Sequence, residues 1–174
     1  MEIKSLIESL LFVADEPVAV ERLASAIGVQ RVAIEEALQE LSEEYEQRGL
    51  CLQRKGGRAQ LVTAPEAAPH IERFLGLELT SRLSAPALET LAIVAYQQPV
   101  TRAGVEAVRG VNCDSVLRTL VSKGLVEAVG RLSQAGRPIV YGTTFEFLQY
   151  FGLQDLAELP PLDDDDKKEE RGES

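Results

Sequence analysis

Tryptophan is absent from this chain, histidine and methionine occur once each, cysteine twice, and aromatic side chains make up only 5% of the residues. Each scarcity removes a class of function. His70 has no second imidazole and no neighbouring cysteine, so neither a histidine-based metal site nor a nucleophile–histidine system can be assembled from local motifs. Cys51 and Cys113 show no metal-ligand spacing and are expected to be reduced, buried, small hydrophobes. No apolar run approaches the ~18 residues of a membrane-spanning helix. Met1 to Ser5 lacks the basic opening of a secretory signal, so the expected location is cytoplasmic, away from membranes. No phosphate-binding glycine loop is present either, because Gly56-Gly57 lies between two alternating apolar runs and suits a two-residue turn. The sequence therefore offers no catalytic residue, no metal site, no cofactor and no small-molecule substrate.

What is present is acidic, with 28 Asp and Glu against 18 Lys and Arg and a net charge of -10. That sign opposes nucleic-acid binding, which depends on neutralising phosphates. The charge is unevenly spread. Residues 1–64 carry seven basic and eleven acidic side chains, whereas residues 81–153 carry seven basic and five acidic. Residues 163–174 contain no apolar side chain and form an acidic tail expected to be disordered.

The chain also repeats itself. Glu8, Leu10, Val13 and Ala14 match Glu89, Leu91, Val94 and Ala95; after one inserted residue, Pro17-Val18 matches Pro99-Val100 and Gly28-Val29 matches Gly110-Val111. Farther on, Gly49-Leu50 meets Gly124-Leu125, and Phe74-Leu75-Gly76-Leu77 meets Tyr150-Phe151-Gly152-Leu153. A period of about 80 residues is too long for a solenoid and suits two tandem copies of a small domain.

Within each copy the pattern predicts helix, helix, helix, hairpin, helix. In the first, Leu6, Ile7, Leu10 and Leu11 recur at helical spacing, a short helix around Leu23 ends at Gly28, and a third runs from about Gln30 to Arg48. Alternating residues on either side of Gly56-Gly57 form the hairpin. In the second copy Ser84, Thr101 and Asn112 are candidate helix caps, and strands Leu125 to Val129 and Pro138 to Thr143 flank a loop. Two helices joined by a glycine turn and followed by a hairpin are a winged helix. The expected fold is mostly α with small β-hairpins (α+β): two tandem winged-helix domains at 1–80 and 81–162, then the tail.

A winged helix commonly reads DNA with its third helix. The first copy's third helix carries Glu35, Glu36, Glu40, Glu43, Glu44 and Glu46 and would repel phosphate. The second offers Arg118 and Lys123, with Arg131 and Arg137 beside the wing, enough for a weak DNA contact or for ordinary surface charge. On the first helix of each copy, Phe12 and then Ile93 and Val94 fall outside the main apolar arc. They either meet a second packing partner or belong to a helix buried on all sides.

Leu88 to Val100 followed by Thr101-Arg102, then Arg109-Gly110-Val111, Gly136-Arg137-Pro138, Tyr141 to Thr144, Phe147-Leu148 and Phe151-Gly152-Leu153 closely resemble the segregation and condensation protein B (ScpB) family over about residues 1–162. The resemblance implies a non-catalytic subunit of the bacterial SMC–kleisin complex, acting in chromosome condensation and segregation at the nucleoid during cell division. It implies a homodimer that binds the central region of the kleisin ScpA and reaches SMC through it, with DNA touched weakly or indirectly. On that basis Leu6, Leu10, Phe12 and Val13 are candidate dimer contacts, and Ile93, Val94, Tyr96, Arg137 and Tyr141 candidate kleisin contacts. The alternative is a dimeric winged-helix transcriptional regulator using Arg118, Lys123 and Arg131 on DNA.

Overall fold

The structure is a computed structural model that describes residues 1–75 and 83–162. The expected acidic tail and the stretch between the two copies, 76–82, lie outside the described residues. The first copy builds α1 (Ile3–Phe12), β1 (Val18–Ala19), α2 (Val20–Ile27), α3 (Arg31–Glu44), β2 (Leu50–Lys55), β3 (Arg58–Thr63) and α4 (Ala68–Leu75). The second builds α5 (Ala85–Gln97), β4 (Val100–Thr101), α6 (Arg102–Arg109), α7 (Asp114–Ser122), β5 (Val126–Arg131), β6 (Ile139–Thr143) and α8 (Phe145–Phe151). Each is a winged helix. The hairpins are completed to antiparallel three-stranded sheets, ordered β1-β3-β2 and β4-β6-β5, by two-residue strands too short to leave an alternation in the sequence.

Two apolar cores form. Ile7, Leu11, Leu23, Ile34, Leu38, Leu41 and Leu52 fill the first; Leu91, Val94, Val105, Leu117, Leu120, Phe147 and Leu148 fill the second. Gly28 and Gly110 close α2 and α6 at φ 80° and 69°, where a side chain is disfavoured. The Thr101 hydroxyl accepts from the Gly104 N–H at 3.1 Å, capping α6. Asn112 accepts from the Asp114 N–H at 3.1 Å from two residues before α7, whose cap position itself is taken by Cys113. Ser84 occupies the cap position of α5 without a side-chain hydrogen bond, leaving Pro in the first turn to start the helix. A cis Gln98–Pro99 bond follows α5, and the Gln98 side-chain oxygen accepts from the Thr143 N–H at 2.9 Å, tying that corner to β6.

Three boundaries differ from the sequence pattern. Helix α3 stops at Glu44, not near Arg48: Glu43, Glu44 and Glu46 oppose the negative end of the helix dipole, and Gln47 takes φ 63°. Strand β5 extends through a bulge between Ala128 and Gly130 to Arg131. The repeat also loses register in its first helix. Val13 is 71% exposed while its sequence match Val94 is 0% exposed, because α1 ends at Phe12 and α5 continues to Gln97.

The Tyr45 hydroxyl donates to Glu8 at 2.7 Å and pins the end of α3 to α1. Burial, then this bond to a carboxylate, pushes Tyr45 from 10.0 up to about 12. Because the folded value is raised, the contact's stabilisation is complete below pH 10.0 and is lost as pH rises through about 12. The melting temperature is therefore expected to fall across that window, and to fall less in Tyr45→Phe.

Candidate partner-binding site

The surface is organised by what α1 and α5 leave uncovered. Phe12 and Val13, at the end of α1, are 83% and 71% exposed. They border a groove of about 620 Å³ that includes Glu8, Tyr45, Leu50 and Leu61. Of the other dimer candidates, Leu10 is half-buried against the first core and Leu6 is half-buried.

On α5 the core takes Ala87, Thr90, Leu91, Val94 and Ala95. This corrects the sequence-level wheel. Val94 is 0% exposed and Ile93 is partly buried against the second core, so Val94 cannot meet a partner and Ile93 offers only an edge. The outward stripe is Leu88, Ala92 and Tyr96, four residues apart and all exposed. An arc that leaves Ile93 and Val94 outside lies about one residue step away from the face that α5 turns inward, which carries Leu91, Val94 and Ala95. Tyr96 donates to the Pro160 carbonyl at 2.5 Å, holding the C-terminal stretch beside α5.

A second groove, of about 780 Å³, runs between α7 and the wing. Thr101, Leu117, Val121, Pro138, Ile139 and Tyr141 make it largely apolar. Its cations are already engaged. Asp114 accepts from Arg102 at 2.9 Å and from Arg118 at 3.0 Å. The Asp114 hydrogen bond, then Glu106, pushes the Arg102 guanidinium up from its ordinary value. Arg131 and Arg137 are exposed at the wing, where Arg131 donates to the Arg137 carbonyl at 3.1 Å, and Lys123 is exposed after α7. The acidic α3 presents Glu40 and Glu44, both paired with Lys4, and Glu35, paired with Arg31 and Arg54.

The two winged helices also touch through a strap that nothing in the sequence announces. After Gly152 ends α8, residues 153–154 lie along the free edge of β2. The Arg54 N–H donates to the Gln154 carbonyl at 2.8 Å. Gln53, 1% exposed, donates to the Leu153 carbonyl at 2.7 Å and accepts from Gln60 at 2.9 Å, so both ends of its amide are satisfied. Lys55 reaches Glu127 of β5 at 4.0 Å. A sheet edge is thus covered and a buried amide partnered across the two units.

His70 is exposed on α4. Both cysteines are buried free thiols, pushed up in pKa chiefly by burial. Among the described residues no helix is long and apolar enough to cross a membrane.

Two linked winged helices with apolar outward faces and arginines tied to Asp114 define a tandem winged-helix protein. Residues 5–162 match the family described as segregation and condensation complex subunit ScpB. Segregation and condensation protein B of Moorella thermoacetica is 52% identical over 164 residues, covering 93% of this chain and 84% of that protein. Its counterpart from Geobacillus kaustophilus is 44% identical, covering 97% and 80%. The chain belongs to the ScpB family. Among solved structures, ScpB from Mycobacterium tuberculosis is 39% identical, covering 87% of this chain and 96% of that one with a TM-score of 0.42. A dimer of an ScpB N-terminal domain complexed with an ScpA peptide is 30% identical, covering 41% and 91%, with a TM-score of 0.39.

Proposed function

We propose that this chain is a non-catalytic subunit of a bacterial SMC–kleisin complex, working at the nucleoid in the cytoplasm during chromosome condensation and segregation. It forms a homodimer through its first winged helix, with Phe12 and Val13 at the contact and Leu6 and Leu10 behind them. Its second winged helix holds the central region of an ScpA-type kleisin, which carries the attachment to SMC. Tyr96, with Leu88 and Ala92, forms one face for that segment, Ile93 lies at its edge, and Tyr141 and Arg137 belong to the wing side. The observation that carries this reading is the placement of apolar side chains on the surface of both units, where a DNA reader would present unpaired cations. Membership of the ScpB family supports it.

Calorimetric titration with a central kleisin fragment tests the placement. Leu88→Asp and Tyr96→Asp are expected to weaken binding at least tenfold, while Arg118→Glu leaves it unchanged. Unchanged affinity in both α5 variants would remove the kleisin from this face. Steeply salt-dependent, sequence-selective DNA binding by the protein alone, abolished by Arg118→Glu, would favour a transcriptional regulator instead.

A further inference from the structure

The exposed stripe of α5 is already touched at one end by the chain itself. The Tyr96 hydroxyl donates to the Pro160 carbonyl at 2.5 Å, a contact between residues 64 positions apart. Tyr96 is 37% exposed. At the other end of the stripe Leu88 is 43% exposed, and Ala92 between them is exposed too.

The stretch that reaches Tyr96 is extended by its own sequence. Leu156 and Leu159 pack against the second core and fix where it starts. A short 3-10 turn, Leu156–Glu158, ends there, and Leu159 takes φ -60° and ψ 133°. That is polyproline II backbone, the conformation favoured for a residue that precedes proline. Pro160 and Pro161 fix their own φ and bring no N–H that needs a partner. Such a stretch costs little entropy to order and lies against aromatic rings as proline-rich ligands do. It is nevertheless lightly held. Pro160, Pro161 and Leu162 are all exposed, Leu162 by 69%. Among the described residues, the Tyr96–Pro160 bond is the only hydrogen bond that reaches past Leu159.

We propose, on the kleisin reading of α5 given above, that residues 160–162 are a self-ligand of this face: they occupy its Tyr96 end in the free chain and are displaced when the kleisin segment lies on Leu88, Ala92 and the Tyr96 ring. The Leu88 end stands open, so the partner engages there first and completes its contact as the clamp at Tyr96 opens. Leu156 and Leu159 stay on the core throughout. Apparent affinity is lowered by the fraction of chains in which the clamp is closed. A clamp resting on one neutral hydrogen bond makes that reduction about three- to tenfold.

The experiment uses the full-length chain and two variants that open the clamp from opposite sides. Tyr96→Phe removes the hydroxyl and keeps the ring that Tyr96→Asp destroys. The double variant Pro160→Gly with Pro161→Gly leaves α5 untouched and loosens the extended stretch. In calorimetric titration with the central kleisin fragment, each is expected to bind at least threefold more tightly than the parent. Combining them is expected to give no further gain, because both act on one contact. The backbone heteronuclear NOE of Leu162 reads the clamp without the kleisin: it is expected to fall in each variant alone, and in the parent when the fragment is added. Unchanged affinity in either variant, or a Leu162 that stays ordered with the fragment bound, would overturn the self-ligand and leave the kleisin on α5. A fragment that binds none of these chains would overturn the kleisin reading and this proposal with it.

Discussion

Val94→Asp is expected to unfold the second winged helix, whereas Leu88→Asp, six residues earlier on the same helix, leaves it folded. Val94 is 0% exposed among Leu91, Leu117, Leu120 and Leu148. The substitution removes the burial of a valine, worth about 1.5–3 kcal/mol, and places a carboxylate in an apolar site. Desolvating that charge costs several kcal/mol more, enough in sum to consume most of a domain's stability of about 5–15 kcal/mol. Leu88 is 43% exposed and loses little. The check is a circular dichroism melt of both variants beside the calorimetric titration. Val94→Asp loses structure and kleisin binding together; Leu88→Asp loses binding alone. A folded Val94→Asp protein with native melting would contradict the core assignment of α5.

The second large effect concerns the strap. Gly152 sits at φ +67°, and a Cβ there would lie 2.9 Å from Pro65 Cγ and 3.0 Å from Pro65 Cβ, a ring that cannot swing aside. Gly110 provides the comparison, being left-handed at φ +69° with nothing within 4 Å of its would-be Cβ. Gly110→Ala therefore pays only the backbone term of about 1–2 kcal/mol. Gly152→Ala pays a similar term and also pushes the strap off β2. Amide hydrogen exchange at Arg54, whose N–H donates to Gln154 at 2.8 Å, is expected to accelerate at least tenfold in Gly152→Ala and to stay unchanged in Gly110→Ala. Equal exchange in the two variants would mean that the strap does not hold the units together.

Much of the fold was legible because its signals are local. Gly28 and Gly110 end helices where the chain turns left-handed, Gly56-Gly57 makes the first wing's turn, and Thr101 caps α6 through its own side chain. The end of α3 was less legible, since an acidic run is compatible with helix until its position against the dipole is weighed. The short strands β1 and β4 exist only because a sheet edge is there to receive them. The functional surface divided in the same way. Phe12 stood out because one apolar residue fell outside a stripe, and its side chain is 83% exposed. Val94 was misplaced because α5 has apolar residues most of the way round, so that periodicity alone could not orient it. The strap was invisible because Gln53 and Leu153 are far apart in the chain and neither carries a residue type that announces a contact.

The central claim is that this chain is a dimeric kleisin-binding subunit. The most direct measurement is gel filtration with light scattering of the protein alone and mixed with a fragment spanning the central segment of ScpA. The account expects a dimer that takes up about one fragment per pair. A monomer, or a dimer that ignores the fragment while shifting a DNA duplex at low salt, would contradict it.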